Sequence, residues 1–538
     1  MDAVKKPVFL KGLKRATGLA SCLLFASFVF HQVPEQHDAD HSIKSVPGGG
    51  APLKGKRKPN ILWITTEGVP LKVLSCYGSR LIQTPNIDRI AREGMLFRNS
   101  FCTNALCAPS RATFLTGKYD HLNGMLTNPG NADSIQAGSA FDAAQETFAK
   151  ILKQYGYKTG MVGKWHLENR YGIPANPGLT GFDYFVFKNG AGGPYYDSNG
   201  YFQNPVLGSK EIIARKYPGY ITDNETDLAI KGMEQMKNGP FLMAVQFFSA
   251  HRPFDPPHKY EHLYDSVQIP EPATFWDDYH SRSAAAREAR MRIEDMMDFH
   301  PPKDLTSRQR RQWSYQQLMR HFLATLKAQD DNIGRLLDYL DKSGLAKNTI
   351  VVFTGDHGFF LGEHGWFDKR FMYEESLRVP WLIRYPGLVK PGSTSGAFVV
   401  NIDNAPTILD MAGIKIPDDM QGRSLMPIFR GNVPADWPRS MYYHYYEFGP
   451  PHWAMPCYGI RTERYKLIDY YTINEWELFD LEKDPDEMEN LLNKEGMEVQ
   501  PEYEEVLKDL LSQLTALRKQ YKDNTGGPVK FWPRQSYN

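Results

Sequence analysis

Short runs with few polar residues recur along this chain, and each stops at residues that carry chemistry. Residues 61–64 run into Thr65, Thr66 and Glu67, and 159–162 into Gly163, Lys164, Trp165 and His166. Residues 241–248 run into Ser249, Ala250 and His251, and 350–353 into Thr354, Gly355, Asp356 and His357. Runs of this length predict strands buried on both faces. Helical periodicity separates them. One helix is predicted over 146–155, closed by Gly156, and Thr222 with Glu225 predicts a capping box opening a second. Phe322, Leu326, Ile333, Leu336, Leu337 and Leu340 mark an amphipathic helix of several turns. Alternation of this kind predicts an α/β fold with a large, mostly parallel sheet flanked by helices. Such sheets bind ligands beyond the carboxyl ends of their strands, where the polar residues fall in all four cases.

The rhythm changes near residue 436. Residues 442–446, 458–462, 465–468 and 476–481 predict short antiparallel strands, and 502–521 a helix closing against them. The main α/β domain is therefore expected over 58–435, with a small antiparallel sheet and helix as a C-terminal subdomain over 436–538. The arginine-rich stretch 282–320 is interleaved with Glu288, Glu294, Asp295, Asp298 and Asp304, and reads as a solvated helical insertion, not a polyanion site.

At the N-terminus, Lys5, Lys6, Lys11, Lys14 and Arg15 precede an apolar run over 16–30. This predicts a signal peptide or an uncleaved anchor over 1–30, followed by a Gly- and Pro-containing linker over 31–57. The chain is expected to be exported, to a periplasm or beyond the cell, and to meet a membrane only through such an anchor. The net charge of +1 across 538 residues carries no electrostatic footprint for nucleic acid. Five cysteines, one inside the apolar leader, show no disulfide spacing.

One thiol is placed differently from the others. In Leu-Cys-Ala-Pro-Ser-Arg-Ala-Thr-Phe-Leu-Thr-Gly (106–117), Pro109 suits a first helical turn and Gly117 a helix stop. Cys107 then lies at a helix N-terminus, where free amides favour negative charge. It is either packed as a small hydrophobe or a reagent. Glu67, Lys164, His166, His251, Asp356, His357 and Lys369, with Arg111, supply two carboxylates, three cations and several imidazoles around it. Carboxylates suit a hard cation, and Lys and Arg an oxyanion. Together they point to transfer of a phosphoryl or sulfuryl group.

The segment Cys107-Ala108-Pro109-Ser110-Arg111, with Thr116-Gly117 after it, resembles the signature of type I sulfatases in the alkaline-phosphatase-like superfamily. Further family blocks follow in order: GKWHL at 163–167, SAHRPF at 249–254, TGDHG at 354–358, WFDKR at 366–370 and GIRTERYKLI at 459–468. The resemblance implies that a maturation enzyme oxidises Cys107 to Cα-formylglycine (3-oxoalanine). Its hydrate attacks the sulfur of a sulfate ester, and loss of the second hydroxyl proton then releases sulfate. It further implies that Arg111 holds the hydrate, Lys164 neutralises sulfate oxygens and His166 is the base for elimination. His251 and Lys369 contact the sulfate, one of them helping to protonate the leaving oxygen. Glu67, Asp356 and His357, with residue 107, match positions that bind one Ca2+, for which Mg2+ is the alternative.

One departure stands out. Relatives commonly carry two adjacent acids after the first strand, whereas this chain has Glu67-Gly68. HRPFDPP (251–257) and SVQIPEPATFWDDY (266–279) resemble bacterial N-acetylglucosamine-6-sulfatases, which implies a sulfated carbohydrate substrate and exo-acting 6-O-desulfation of glucosamine. Tyr195, Tyr196 and Trp276 are candidates to line the sugar site. The alternatives are a phosphodiester or phosphonate monoester hydrolase on the same scaffold and a non-catalytic binder of sulfated saccharides.

Overall fold

The structure, a computed structural model, describes residues 57–529 apart from 130–138, 168–175, 189, 191, 205–206, 210 and 493–497. The expected leader over 1–30 and all of the linker but residue 57 lie outside the described residues. The main sheet begins with β1 (Asn60–Thr66), β2 (Met95–Phe101), β3 (Lys158–Lys164), β4 (Tyr184–Lys188), β5 (Tyr201–Gln203), β6 (Ile213–Arg215), β7 (Phe241–Gln246) and β8 (Thr349–Gly355). A two-stranded ribbon, β9 (Phe360–Leu361) and β10 (Phe367–Asp368), precedes its last strands, β11 (Trp381–Arg384) and β12 (Ser393–Val400). The ten main strands run in the order β12-β2-β11-β8-β1-β7-β3-β4-β5-β6.

The four apolar runs of the sequence are β8, β1, β7 and β3, consecutive neighbours at the centre of this sheet and all parallel. Their burial on both faces is visible within β1. Leu62 and Ile64 join one core with the helices Ile221–Met236 and Ser307–Lys342. Ile61 and Trp63 join another on the opposite face, with Phe114, Phe148 and Ile408. Successive side chains of a strand point to opposite faces, so the middle of a strand between two helical layers is apolar at every position and polar residues fall at its ends.

A second sheet, β13 (Ser440–Tyr445), β14 (Cys457–Thr462), β15 (Tyr465–Tyr470) and β16 (Glu475–Asp480), is antiparallel and ordered as in the chain. The helix Glu504–Gln520 packs on it through Leu507, Leu510 and Leu514. The same core takes in Phe101, Leu106, Tyr119 and Trp366 of the main body. The expected fold class, a large mostly parallel sheet with a small antiparallel sheet and helix, is the one observed.

Two local expectations are corrected. The helix Ile221–Met236 starts one residue before Thr222, so Thr222 and Glu225 form no capping box. Both turn inward: Thr222 Oγ1 bonds Ser249 Oγ at 3.1 Å and Glu225 Oε2 accepts from the Phe248 amide at 3.3 Å. The arginine-rich stretch is a solvated helical insertion only in part: Arg287, Arg290 and Arg308 are exposed and it is helical from Ser307. Before Ser307 it holds only the short turns Ala284–Glu288 and Ile293–Asp295. Arg282 is fully buried, paired with Asp277 at 2.8 Å and donating to the Met488 carbonyl.

Candidate active site

Sheet register alone brings most of the expected residues together. Thr66 pairs with Gly355, so Glu67 and Asp356 leave β1 and β8 side by side. Gln246 of β7 pairs with Thr65 on one side and Gly163 on the other, which sets Lys164 beside them. Onto these ends sits α2, with α1 (Pro85–Arg92) preceding it in the chain; α2 spans Cys107–Thr116 and every residue of it is buried. Phe114 seats the helix, its ring 5.0 Å from Trp63 and 5.1 Å from Phe148. Gly117 ends it in the left-handed conformation at φ 65°, as a C-terminal stop requires.

Cys107 is the first residue of α2, and its Sγ lies 2.9 Å from Glu67 Oε1 and 3.3 Å from His357 Nε2. Arg111, one turn later, is buried and uses its guanidinium in four directions. Nη2 donates to Glu67 Oε2 and Asp356 Oδ2, each at 2.9 Å. Nη1 donates to the Lys164 carbonyl at 2.9 Å and to Gln246 Oε1 at 2.5 Å. A buried guanidinium is tolerated only when paired and hydrogen-bonded in this way. Lys164 Nζ reaches Glu67 Oε2 at 2.9 Å, and Lys369 Nζ lies 3.9 Å from Glu67 Oε1. Ser110 Oγ donates to the Asp356 carbonyl and receives Asn401 Nδ2 at 3.0 Å, which fixes the start of α2 to the β8 end.

The electrostatics are those of an anion site. Burial and Glu67 push the Cys107 thiol up, but Lys164, Lys369 and His357 outweigh them and hold it well below the ordinary thiol range. Burial likewise raises the Glu67 carboxyl, yet Lys164, His357 and Arg111 hold it well below the carboxylate range. Burial opposes the charge on Lys369, but Asp368, Cys107 and Glu67 keep it an ammonium. His166, in the left-handed region at φ 56°, is lowered to about 4, mainly by burial. His251 is lowered by burial and by Lys164. Its Nδ1 donates to the Arg252 carbonyl at 3.0 Å, leaving the lone pair on Nε2, which faces Glu67 Oε1 at 4.0 Å.

Ligand atoms of Glu67, Cys107, Asp356 and His357 all lie within 4.8 Å of one another. His357 Nδ1 is committed to the Gly358 carbonyl at 2.8 Å, so Nε2 is the nitrogen turned toward the cluster. Two carboxylates and one imidazole nitrogen fit a divalent cation, with oxygen donors in the majority. Gly68 has a structural reason to be glycine. Its φ is 57°, and a Cβ there would stand 3.2 Å from Phe359 Cδ2 and 3.3 Å from His357 Cε1. Its amide instead donates to Asp356 Oδ1 at 3.1 Å.

Of the three candidate aromatic residues, Tyr195 and Tyr196 both pack against Tyr220, at 5.8 and 5.3 Å, and Trp276 packs against Phe275. Tyr195 is fully buried, and its hydroxyl donates to the His251 carbonyl at 2.5 Å, so it supports that histidine from behind. Tyr196 stacks on His258 at 4.5 Å, and Trp276 lies under Arg308 at 3.9 Å. Sequence reasoning missed the residues around Lys369. Asp368 and Arg370 are buried, left-handed at φ 80° and 108°, and bonded to each other at 2.6 Å. His452 Nε2 comes to 3.4 Å from Asp368 Oδ2, and Glu447 Oε1 to 3.6 Å from Arg370 Nε. The Asp-Lys-Arg triplet after an aromatic pair was the available signal for the first two.

Comparison with known proteins gives two family-model matches. The model described as "Sulfatase" covers residues 59–414, and "N-sulphoglucosamine sulphohydrolase, C-terminal" covers 362–520. The N-acetylglucosamine-6-O-sulfatase of Bacteroides thetaiotaomicron is 42% identical over 519 residues, 87% of this chain and 88% of that one. The human N-acetylglucosamine-6-sulfatase is 30% identical over 399 residues, 71% of this chain and 66% of that one. The solved structure of BT4656 in complex with its substrate D-glucosamine-2-N,6-O-disulfate superposes with a TM-score of 0.78 at 41% identity, over 88% of this chain and all of that one.

Proposed function

The chain belongs to the sulfatase family, and from that premise we propose a sulfuric ester hydrolase that removes 6-O-sulfate from glucosamine units of a sulfated glycan. Sulfate ester hydrolysis on carbohydrate follows from the family and the relatives; the position and the exo mode rest on the glucosamine-6-sulfatase likeness. The observation that carries the mechanism is Cys107 at the first position of α2, ringed by Lys164, Lys369 and Arg111, with two imidazoles lowered by burial close by.

In this reading Cys107 is the precursor of Cα-formylglycine, whose hydrate supplies the nucleophilic oxygen that a thiol does not. Glu67, Asp356, His357 and residue 107 would hold one divalent cation, Ca2+ by the likeness to relatives with Mg2+ as the alternative, which would supply Lewis-acid charge beside the sulfate. Arg111 fixes Glu67, Asp356 and the start of α2, and so orients residue 107. Lys164 and Lys369 place two preorganised ammonium groups where negative charge develops. His166, neutral at ordinary pH, is suited to take the proton whose loss frees sulfate. His251 presents Nε2 and Lys369 its ammonium to the sulfate, and one of them protonates the leaving oxygen. We assign residues 1–30 to export, 31–57 to a linker, 58–435 to the catalytic domain and 436–538 to the C-terminal subdomain.

The test is sulfate release from 6-sulfated N-acetylglucosamine by protein made beside a formylglycine-generating enzyme, with and without chelator. Release that is lost on chelation and in Cys107→Ala, with an aldehyde at residue 107 by mass spectrometry, is expected. A fully active enzyme with an unmodified thiol would sink the mechanism, and a preference for phosphodiesters over sulfate esters would sink the activity.

A further inference from the structure

The loop between β13 and β14 is tied to the candidate site at both ends. Glu447 meets Arg370 and His452 meets Asp368, the two neighbours of Lys369 in the chain. Between and beyond these anchors the loop turns two aromatic rings outward. Trp453 is exposed at 36%, and the half-buried Phe448 meets it edge-on at 5.5 Å. A single exposed apolar side chain is ordinary on a protein surface, so the informative feature is two aromatic rings paired on a loop tied to the site.

Its backbone adds a second observation. Trp453 adopts φ 52°, a region that bulky residues rarely occupy, and is held there by its amide donating to the Gly449 carbonyl at 2.8 Å. A third observation comes from the arginine-rich stretch. The Arg290 amide donates to the His452 carbonyl at 2.8 Å, and its exposed guanidinium lies 5.6 Å from the Trp453 ring. Arg290 makes no close ion pair among the described residues, its charge reaching Asp295 only at longer range, so its guanidinium can still meet a ligand.

An indole face offers an apolar platform to the CH face of a pyranose. A guanidinium beside it recognises a carboxylate or sulfate through paired N–H donors. We propose that Trp453, Phe448 and Arg290 form a second saccharide subsite, one sugar beyond the sulfated glucosamine, for an anionic neighbouring residue of the glycan. This rests on the glycan sulfatase reading above and adds to it what the adjoining sugar must be. The arginine stretch then contributes one residue to binding, while Arg282 at its start is buried structure.

The experiment compares kcat/KM of the full, converted enzyme on four substrates. They are 6-sulfated N-acetylglucosamine alone and the same sugar linked to a hexuronate, to a neutral hexose or to a sulfated hexose. A preference of about tenfold for an acidic disaccharide over the monosaccharide is expected, weakening as salt is raised. The hexuronate and sulfated arms tell which anion is read. Arg290→Gln should erase the preference for acidic over neutral disaccharide. Trp453→Ala should collapse the preference for disaccharide over monosaccharide, and Trp453→Phe should restore much of it. Thermal melts of the three variants check that each is folded. Equal turnover of monosaccharide and acidic disaccharide, or variants that keep the wild-type ratio, would overturn the subsite. No sulfate release from any of the four would instead overturn the reading on which it rests.

Discussion

At the scale of single residues, Gly68 decides how the cation site is built. The family pattern invites an acid there, yet the backbone is left-handed and the space is filled. A Cβ would meet His357 Cε1 at 3.3 Å and Phe359 Cδ2 at 3.2 Å, tighter than ordinary contact. The same residue donates its amide to Asp356, so it already serves the cluster through its backbone. Gly68→Asp is therefore expected to lower stability by about 1 kcal/mol from the left-handed strain alone, and to displace the His357 ring. Thermal melts with and without added calcium check this. The variant should melt lower without calcium and gain less from it than the wild type. A larger calcium-induced rise in the variant would show that the shell lacks an acid after all.

At the scale of elements, the site exists because four parallel strands end together, and between β3 and β7 a glycine leaves no room for a side chain. Gly163, at φ 107°, sits where a Cβ would fall 2.0 Å from the Gln246 carbonyl oxygen. Gly163→Ala should force β3 off β7, dislodge Lys164 and Gln246, and cost on the order of 3–5 kcal/mol. Gly156 supplies the control, since it also has a positive φ, 80°, with nothing within 4 Å. Gly156→Ala should cost only about 1 kcal/mol, the backbone term alone. Melting both variants separates the two costs, and similar losses would remove the argument for strand separation. The same strands explain what could be read in advance. β8, β1, β7 and β3 are buried on both faces, so their sequences are unbroken apolar runs and their polar ends stand out. β2 mixes buried and exposed positions, and β5 and β6, at one end of the sheet, are only three residues long, so none carries a comparable pattern. Charged pairs across the chain leave no local trace. Arg282 owes its burial in part to the Met488 carbonyl, 206 residues away, and composition alone made that stretch look solvated. His452 owes its place to Asp368, and nothing near either residue announces the other.

At the scale of the whole molecule, the number of buried carboxyl groups makes stability depend on pH in a direction that can be worked out. Burial raises Glu225 to about 8 and Asp120, Asp403 and Asp469 to about 7. An acid raised in the folded state binds its proton more tightly there than in the unfolded chain. Its contribution is complete below the unfolded value and is lost as pH rises through the folded one. Glu67, Asp368, Glu374 and Asp523 are shifted the other way by the cations around them, and their contributions are lost only as pH falls below the ordinary carboxylate range. Lys188, lowered by burial to about 8, begins to release its proton only toward the top of this window. Between about pH 5.5 and about pH 8 these raised acids should therefore lower stability, whereas His166, His444 and His452, lowered mainly by burial to about 4, about 4 and about 3, oppose the fall until the unfolded imidazoles have lost their protons near pH 7. Glu225 and Glu487 are raised furthest, both to about 8 mainly by burial, and Glu225 is the simpler to test, because its Oε1 has no partner and its Oε2 only the Phe248 amide at 3.3 Å. It accounts for on the order of 3–5 kcal/mol across its whole titration. Glu225→Gln keeps the shape and the acceptor for Phe248 while removing the titration. Its melting temperature should exceed that of the wild type at the alkaline end and change less between the two pH values. A variant that keeps the full wild-type slope would mean that Glu225 reaches solvent or a cation and stays ionised in the fold.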